Sequence, residues 1–362
     1  MNPSILDQKE IIENVDPKKM FQLVNDFSSQ LNHAEEIGNA LTLDPNYAKG
    51  ITKIVFSGLG GSAIGADFIR SYLTYDLNIP IFVNRHYLLP KFVDAQTLLI
   101  VSSFSGDTEE TLSALKNGLS AKAKILAISS GGELGRQAQT HSFPLIKIPG
   151  GMSPRAALGY SVAPLLVALS KLGFKSAYRS EEFTEAKQLL SELSKNKYGL
   201  SVPYSKNEAK QLAFKCFNHY PIIYSGPDYL DVVALRWRGQ IEENSKALAS
   251  HHIFPELNHN ELVGWKNPTS FLKQVIVFIL RDQADHKRVQ MRMNLTKQVI
   301  QKYAAEVIEL HSQGKGLLAR MFSQVHLGDW ISVYLAALYQ VDPTPVEVIN
   351  FLKSELAKEP MA

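Results

Sequence analysis

The 362-residue sequence predicts an α/β fold of two tandem lobes, each a parallel sheet flanked by helices. Three observations carry this expectation. Short β-branched runs alternate with segments of helical period. The first of these runs end in glycine-rich or hydroxyl-rich loops. After a charged, largely helical stretch, the alternation starts a second time at Tyr220.

Residues 1–50 read as an N-terminal helical segment, because Met20, Phe21, Val24 and Phe27 recur at helical spacing. The first lobe is expected over 51–175. Ile51–Phe56 is a strand that runs into the glycine turn Ser57–Ser62, and Ala63–Tyr75 is the helix after it. Ile81–Asn84 and Thr97–Val101 are the next two strands, the latter ending in the polar loop Ser102–Thr108. Ala123–Ile128 and Phe143–Ile148 complete the set, and a helix spans Ala156–Leu172.

The second lobe is expected over 176–340. Lys175–Lys206 connects the lobes as a charged helical stretch. Tyr220–Ser225 is a strand, followed by a helix carrying Val232–Lys246. His252–Phe254, Val275–Leu280 and Ala305–Leu310 supply further strands, and Leu317–Tyr339 a long apolar helix. Residues 341–362 form a C-terminal helical unit from Thr344 to Leu356, packing on the active site. Runs that are apolar without alternation imply sheets covered on both faces. Ligands of such sheets sit at the carboxyl ends of the strands, where both polar loops of the first lobe lie.

Composition narrows the function. Apolar residues make up 45% and charged residues 20%, which is ordinary for a globular chain. A formal charge of +3 over this length does not suggest a nucleic-acid or membrane-surface binder. The single cysteine, Cys216, allows no internal disulfide, and one thiol with scattered histidines makes no zinc set. The N-terminus lacks a basic region followed by an apolar core, and apolar runs reach only about eight residues, short of a membrane span. A cytoplasmic soluble protein without a zinc site is expected.

Gly58–Ala63 fits the loose pattern G-x-G-x-x-A. A dinucleotide site also wants an acid at the end of the second strand, where this chain has Asn84-Arg85. An arginine there suits a 2′-phosphate, so a nucleotide-dependent dehydrogenase stays open but disfavoured. The alternative is a single-phosphate cradle of backbone N–H groups, helped by the Ser62 hydroxyl. The plain structural reading is a tight strand–helix turn. Ser103, Ser105 and Thr108 present three hydroxyls just before a helix. Such groups hold a phosphate dianion at a helix N-terminus without lysine or arginine. Their structural reading is N-capping by Asp107 or Thr108.

Arg236–Lys246 followed by Phe254–Glu261 places a carboxylate, Glu243, and an imidazole, His259, in one polar region. Proton transfer needs two groups of unlike pKa, one taking and one giving. The competing reading is a solvated helix face, since Glu243 adjoins Glu242. Neighbours on a helix point about 100° apart, so one of the two is expected to face a site. His219, His251 and His252 receive no role.

Gly60–Ser62 and Ser103–Thr108 resemble the signature loops of sugar isomerase (SIS) domains, which are flavodoxin-like. Gly151–Tyr160, Gln240–Lys246 and Pro255–Glu261 resemble the bifunctional phosphoglucose/phosphomannose isomerase family over nearly the whole chain. The resemblance implies two SIS lobes per subunit and a homodimer. It implies that Gly61 and Ser62 line the substrate site and that Ser103, Ser105 and Thr108 hold a sugar phosphate. Arg155 then stabilises the charge of an enediol intermediate, and Glu243 shuttles a proton between C1 and C2. His259, from the partner subunit, and Lys353 assist ring opening.

The implied activity interconverts glucose 6-phosphate and mannose 6-phosphate with fructose 6-phosphate, which needs no cofactor, and no metal if a cation stabilises the enediolate. A fixed guanidinium suits an enediolate because it stays protonated and offers a planar fork of donors. The two aldoses differ only at C2 and share one enediol, so one base serves both. The alternative from another class is a non-catalytic phosphosugar-binding regulator, which needs the hydroxyl loops but not Glu243.

Overall fold

The computed structural model describes residues 3–356 and Lys358. Among them, nine strands form two sheets that are parallel throughout. The first holds β1 (Lys53–Ser57), β2 (Ile81–Asn84), β3 (Thr97–Ser102), β4 (Lys124–Ser129) and β5 (Leu145–Lys147), in the order β2-β1-β3-β4-β5. The second holds β6 (Tyr220–Ser225), β7 (Ser250–Ile253), β8 (Val275–Arg281) and β9 (Glu306–His311), in the order β7-β6-β8-β9. Every residue of the central strand β3 is buried, as are the first six of β8. Helices cover both faces, which is why these strands read as unbroken apolar runs.

Both sheets reverse direction next to their first strand. The chain passes from β1 outward to β2 and then back across to β3, and β6, β7 and β8 repeat that path. Loops after β1 and β3 therefore diverge to opposite sides and leave a crevice at the sheet edge.

The two sheets share one core. A single cluster of buried side chains runs from Leu6 through Phe56 and Ile100 to Ile223, Phe278 and Leu338. At its centre lies the helix Leu317–Tyr339, buried at every residue from Leu318 to Leu338. A helix buried all round must be apolar nearly all round. The charged residues it does carry are paired, Arg320 with Asp282 and Asp329 with Arg236. It packs against the helix Asp231–Ser245 at Gly328, where an added Cβ would sit 2.2 Å from Trp237 Nε1. The indole N–H donates to the Gln324 carbonyl at 2.7 Å. The helix Asp231–Ser245 is thereby clamped before any functional residue is reached.

Element boundaries differ from expectation at several points: β1 begins at Lys53 instead of Ile51, the helix after it begins at Gly60 instead of Ala63, and β5 shortens to Leu145–Lys147. β7 starts at Ser250, two residues early, and ends at Ile253, since Phe254 leaves the strand and is buried in a separate cluster with Tyr224 and Leu257. The C-terminal helix begins at Glu347 instead of Thr344. Thr344 precedes a proline, which disfavours helical backbone, and its N–H is taken by Asp342 Oδ1 at 2.8 Å in a turn.

Candidate active site

A cavity of about 1030 Å³ opens between the two sheets. Its walls come from distant parts of the chain. Gly60 and Gly61 open the helix that follows β1 (Gly60–Leu73), and Arg155 belongs to a short 3-10 turn after β5 (Pro154–Ala156). Arg238, Glu242 and Glu243 belong to the helix Asp231–Ser245, with Lys246 just past its end. Asp342 and the first turns of the C-terminal helix close the far side.

Arg155 is 5% exposed and heavily bonded. Nε donates to Asn244 Oδ1 at 2.6 Å, and Nη2 donates to the carbonyls of Pro343 at 2.5 Å and Thr344 at 2.9 Å. Nη1 donates to Glu243 Oε2 at 3.2 Å. A guanidinium carries five N–H donors. Among the described residues, the remaining Nη1 N–H has no protein acceptor, and it sits on the nitrogen that faces Glu243. Burial draws Arg155 below its usual pKa, while Glu243 opposes that shift. It stays cationic at neutral pH.

Glu243 lies in the last turn of its helix, which contains no basic residue. A carboxylate there meets the negative end of the helix dipole. Arg155 supplies the missing positive charge from the other lobe. Lys246 adds a second cation, its Nζ donating to the carbonyls of Glu243 at 2.7 Å and Pro343 at 3.1 Å. Burial first, and Arg155 second, hold Lys246 below the ordinary lysine pKa. Glu242 also lines the cavity, 3.6 Å from Arg238. Both neighbouring acids thus reach one cavity, which is wide enough to span the angle between them. Burial raises the Glu242 pKa against the pull of Arg238.

Behind this surface lies a buried polar layer. Arg236 pairs with Asp329 at 2.8 Å and also donates to the Arg155 carbonyl at 2.9 Å. Gln240 donates to the same aspartate at 2.8 Å. The backbone and the head group of Arg155 are therefore held separately.

The hydroxyl loop is organised largely by its own bonds. Ser103 Oγ meets Thr108 Oγ1 at 2.8 Å and accepts from the Gly106 N–H at 3.1 Å. Ser105 Oγ accepts from the Asp107 N–H at 3.2 Å. Thr108 occupies the N-cap position of Glu109–Ser120 without a side-chain cap bond. Asp107 instead accepts from the Glu133 N–H of the next helix at 2.8 Å. The expected N-cap role therefore does not account for either side chain. Ser62 Oγ accepts from the Phe104 N–H at 3.2 Å, which locks the first loop to the second. Gly61 is equally constrained, since an added Cβ would lie 2.7 Å from the Pro154 carbonyl oxygen.

Gly61, Arg155 and Glu243 therefore share one cavity. Ser62 lines a smaller crevice with Gly61, Ser102 and Phe104. Ser103, Ser105 and Thr108 are not in the lining of the large cavity. His259 is exposed at the end of a 3-10 turn (Glu256–His259), outside that lining, and Lys353 is exposed on the C-terminal helix. Arg85 lines the cavity but is paired with the buried Asp67, so its head group is already engaged. No group of three or more His, Cys, Asp or Glu among the described residues has a metal-holding arrangement. None of their helices is long and apolar enough to cross a membrane.

Residues 205–356 match the model of a bacterial phospho-glucose isomerase C-terminal SIS domain. A bifunctional phosphoglucose/phosphomannose isomerase of Caldicellulosiruptor bescii is 45% identical over 94% of this chain and 99% of its own length. The chain belongs to the bifunctional phosphoglucose/phosphomannose isomerase family. A relative of the same name from Aquifex aeolicus is 36% identical, covering 94% of this chain and 99% of its own. A hypothetical protein of Thermus thermophilus, of solved structure, superposes with a TM-score of 0.71 at 14% identity. It covers 98% of this chain and 94% of that one, a likeness of fold alone.

Several site residues of this family member carry no sequence signal of their own. Asn244, Asp329 and the carbonyls of Pro343 and Thr344 are defined by what they touch. Lys246 stands in a recognisable motif, but its left-handed backbone (φ 55°), which turns its ammonium back over the helix end, is a tertiary feature.

Proposed function

We propose that the protein interconverts glucose 6-phosphate and mannose 6-phosphate with fructose 6-phosphate by proton transfer through an enediol. The observation that carries this reading is the meeting of Arg155 and Glu243 at 3.2 Å in a cavity between the lobes. Glu243 Oε2 accepts from Arg155, and the carboxylate remains one-third exposed and open to a ligand. It takes the C2 proton and returns it at C1. The charge that forms on the oxygens falls to the free Nη1 N–H of Arg155. Guanidinium and carboxylate are placed before substrate arrives, so little reorganisation is needed.

Gly61 and Ser62 support a phosphate-binding role through their place at the crevice, with Ser103, Ser105 and Thr108 in the loop bonded to it. The same reading assigns ring opening to Lys353 and to His259 of a second subunit. The exposure of His259 suits contribution across a homodimer interface. The enzyme would work in the cytoplasm on soluble sugar 6-phosphates.

The test incubates purified protein with fructose 6-phosphate, without added metal or nucleotide, and follows both aldose phosphates. Formation of both is expected. Formation of neither removes the proposal.

A further inference from the structure

Arg155 works as an oxyanion donor only if its last N–H points where charge develops, so the groups that aim it matter. Its Nε acceptor is the amide oxygen of Asn244, which is fully buried and next in sequence to Glu243. A primary amide has an oxygen face and a nitrogen face of almost equal shape. Something must decide which one meets the arginine.

Ser332, on the central helix Leu317–Tyr339, decides it. The Ser332 hydroxyl donates to the Asp329 carbonyl at 2.7 Å. Having given its one proton, Oγ has only lone pairs left to offer. Asn244 Nδ2 donates to it at 2.9 Å. The amide nitrogen is thereby committed to Ser332, and the oxygen is turned to Arg155. Both residues are 0% exposed, so water does not compete for these bonds.

The neutrality of this acceptor is as important as its direction. A carboxylate at 244 would also accept from Nε, but it would compensate the guanidinium charge and rival Glu243. An amide holds Arg155 in place and leaves its charge for the developing enediolate, in a buried setting where charge is felt strongly. We infer that Asn244 is a positioning residue that aims Arg155 without neutralising it, and that Ser332 sets the orientation of Asn244. This rests on the isomerase reading given above.

The test compares wild type with Asn244→Leu, Asn244→Asp, Ser332→Ala and Ser332→Thr. It measures kcat, KM for fructose 6-phosphate and the affinity of a phosphorylated hydroxamate that mimics the enediolate. Asn244→Leu should lower kcat about 10²-fold, the scale of a lost or misplaced transition-state donor, with KM within about threefold. Ser332→Ala should lower kcat about tenfold, and Ser332→Thr, which keeps the hydroxyl, should restore most of it. Asn244→Asp keeps the acceptor but should still lose about tenfold, because it shares the arginine charge. In each case the mimic should weaken by the factor that kcat falls, since both report transition-state binding.

A merely structural role would lower the yield of folded enzyme and leave kcat per folded molecule and mimic affinity unchanged. That result for Asn244→Leu and Ser332→Ala overturns the inference. Where Asn244→Leu does not fold, the Ser332 pair decides by the same rule. Wild-type isomerisation that is lost in Glu243→Gln but unaffected in these variants would refute this inference alone. A wild type that does not isomerise at all refutes the parent reading instead.

Discussion

Arg155 and Glu243 stand 3.2 Å apart although 88 residues separate them in the chain. One follows the last strand of the first sheet, and the other closes the helix after the first strand of the second. Neither lobe alone holds both, so the candidate chemistry exists only where the lobes meet.

Glu243→Gln should abolish proton transfer while leaving the fold intact, because the amide oxygen still accepts from Arg155. A loss of about 10²–10⁴-fold in kcat is expected, measured with C2-deuterium exchange by NMR. Glu242→Gln should retain most activity, since Glu242 pairs with Arg238 and not with Arg155. The opposite ranking would exchange the roles of the two acids.

The buried pair Arg236–Asp329 should be costly to break from one side. Both residues are under 10% exposed, and Asp329 also accepts from Gln240. Replacing either alone by an apolar residue leaves an uncompensated buried charge, at about 3–5 kcal/mol. Urea unfolding should show less loss for the double replacement than for either single one. A single-variant cost below about 1 kcal/mol would mean that the site is not dry.

Gly61→Ala should damage the site more than the fold. The added methyl would press on the Pro154 carbonyl, one residue before Arg155. A displacement of that turn is expected to lower kcat/KM by about 10²-fold with little change in melting temperature. Wild-type kinetics in this variant would show that the two loops move independently.

Stability should fall in acid through His326. Its ring is fully buried and its Nε2 lies within 3.1 Å of Trp330 Nε1 and 2.8 Å of Ser194 Oγ. Burial pushes its pKa down to about 3, from an ordinary value of 6.5. Below pH 6.5 the unfolded chain binds a proton that the native one refuses. The contribution is complete above that pH and is lost progressively toward pH 3, at roughly 1 kcal/mol per pH unit. Melting temperature should therefore drop steeply below about pH 6, and His326→Gln should flatten that slope. An unchanged slope would shift the cause to another histidine, such as the half-buried His251, which burial pushes down to about 4.

Much of the architecture was legible in the residues. Val275–Leu280 and Thr97–Val101 are unbroken apolar runs, and both became central strands. Ser103–Thr108 was recognisable as a loop at the sheet edge, but its hydroxyls are bonded within the loop in ways no spacing revealed. Arg85 had a possible 2′-phosphate role in the sequence, and the structure pairs it with Asp67. Asn244 is part of the Gln240–Lys246 motif, yet nothing in the motif distinguishes it from a solvated helix position.

Strand and helix order and the two-lobe repetition follow from period and residue type. Those are short-range properties, set by backbone sterics and by burial of one face. Which acid meets the arginine, how its amide neighbour is turned, and which donor is left free emerged only from the folded chain. Hydrogen bonds demand partners within about 3 Å along defined directions, and no local pattern encodes an approach between residues so far apart in sequence.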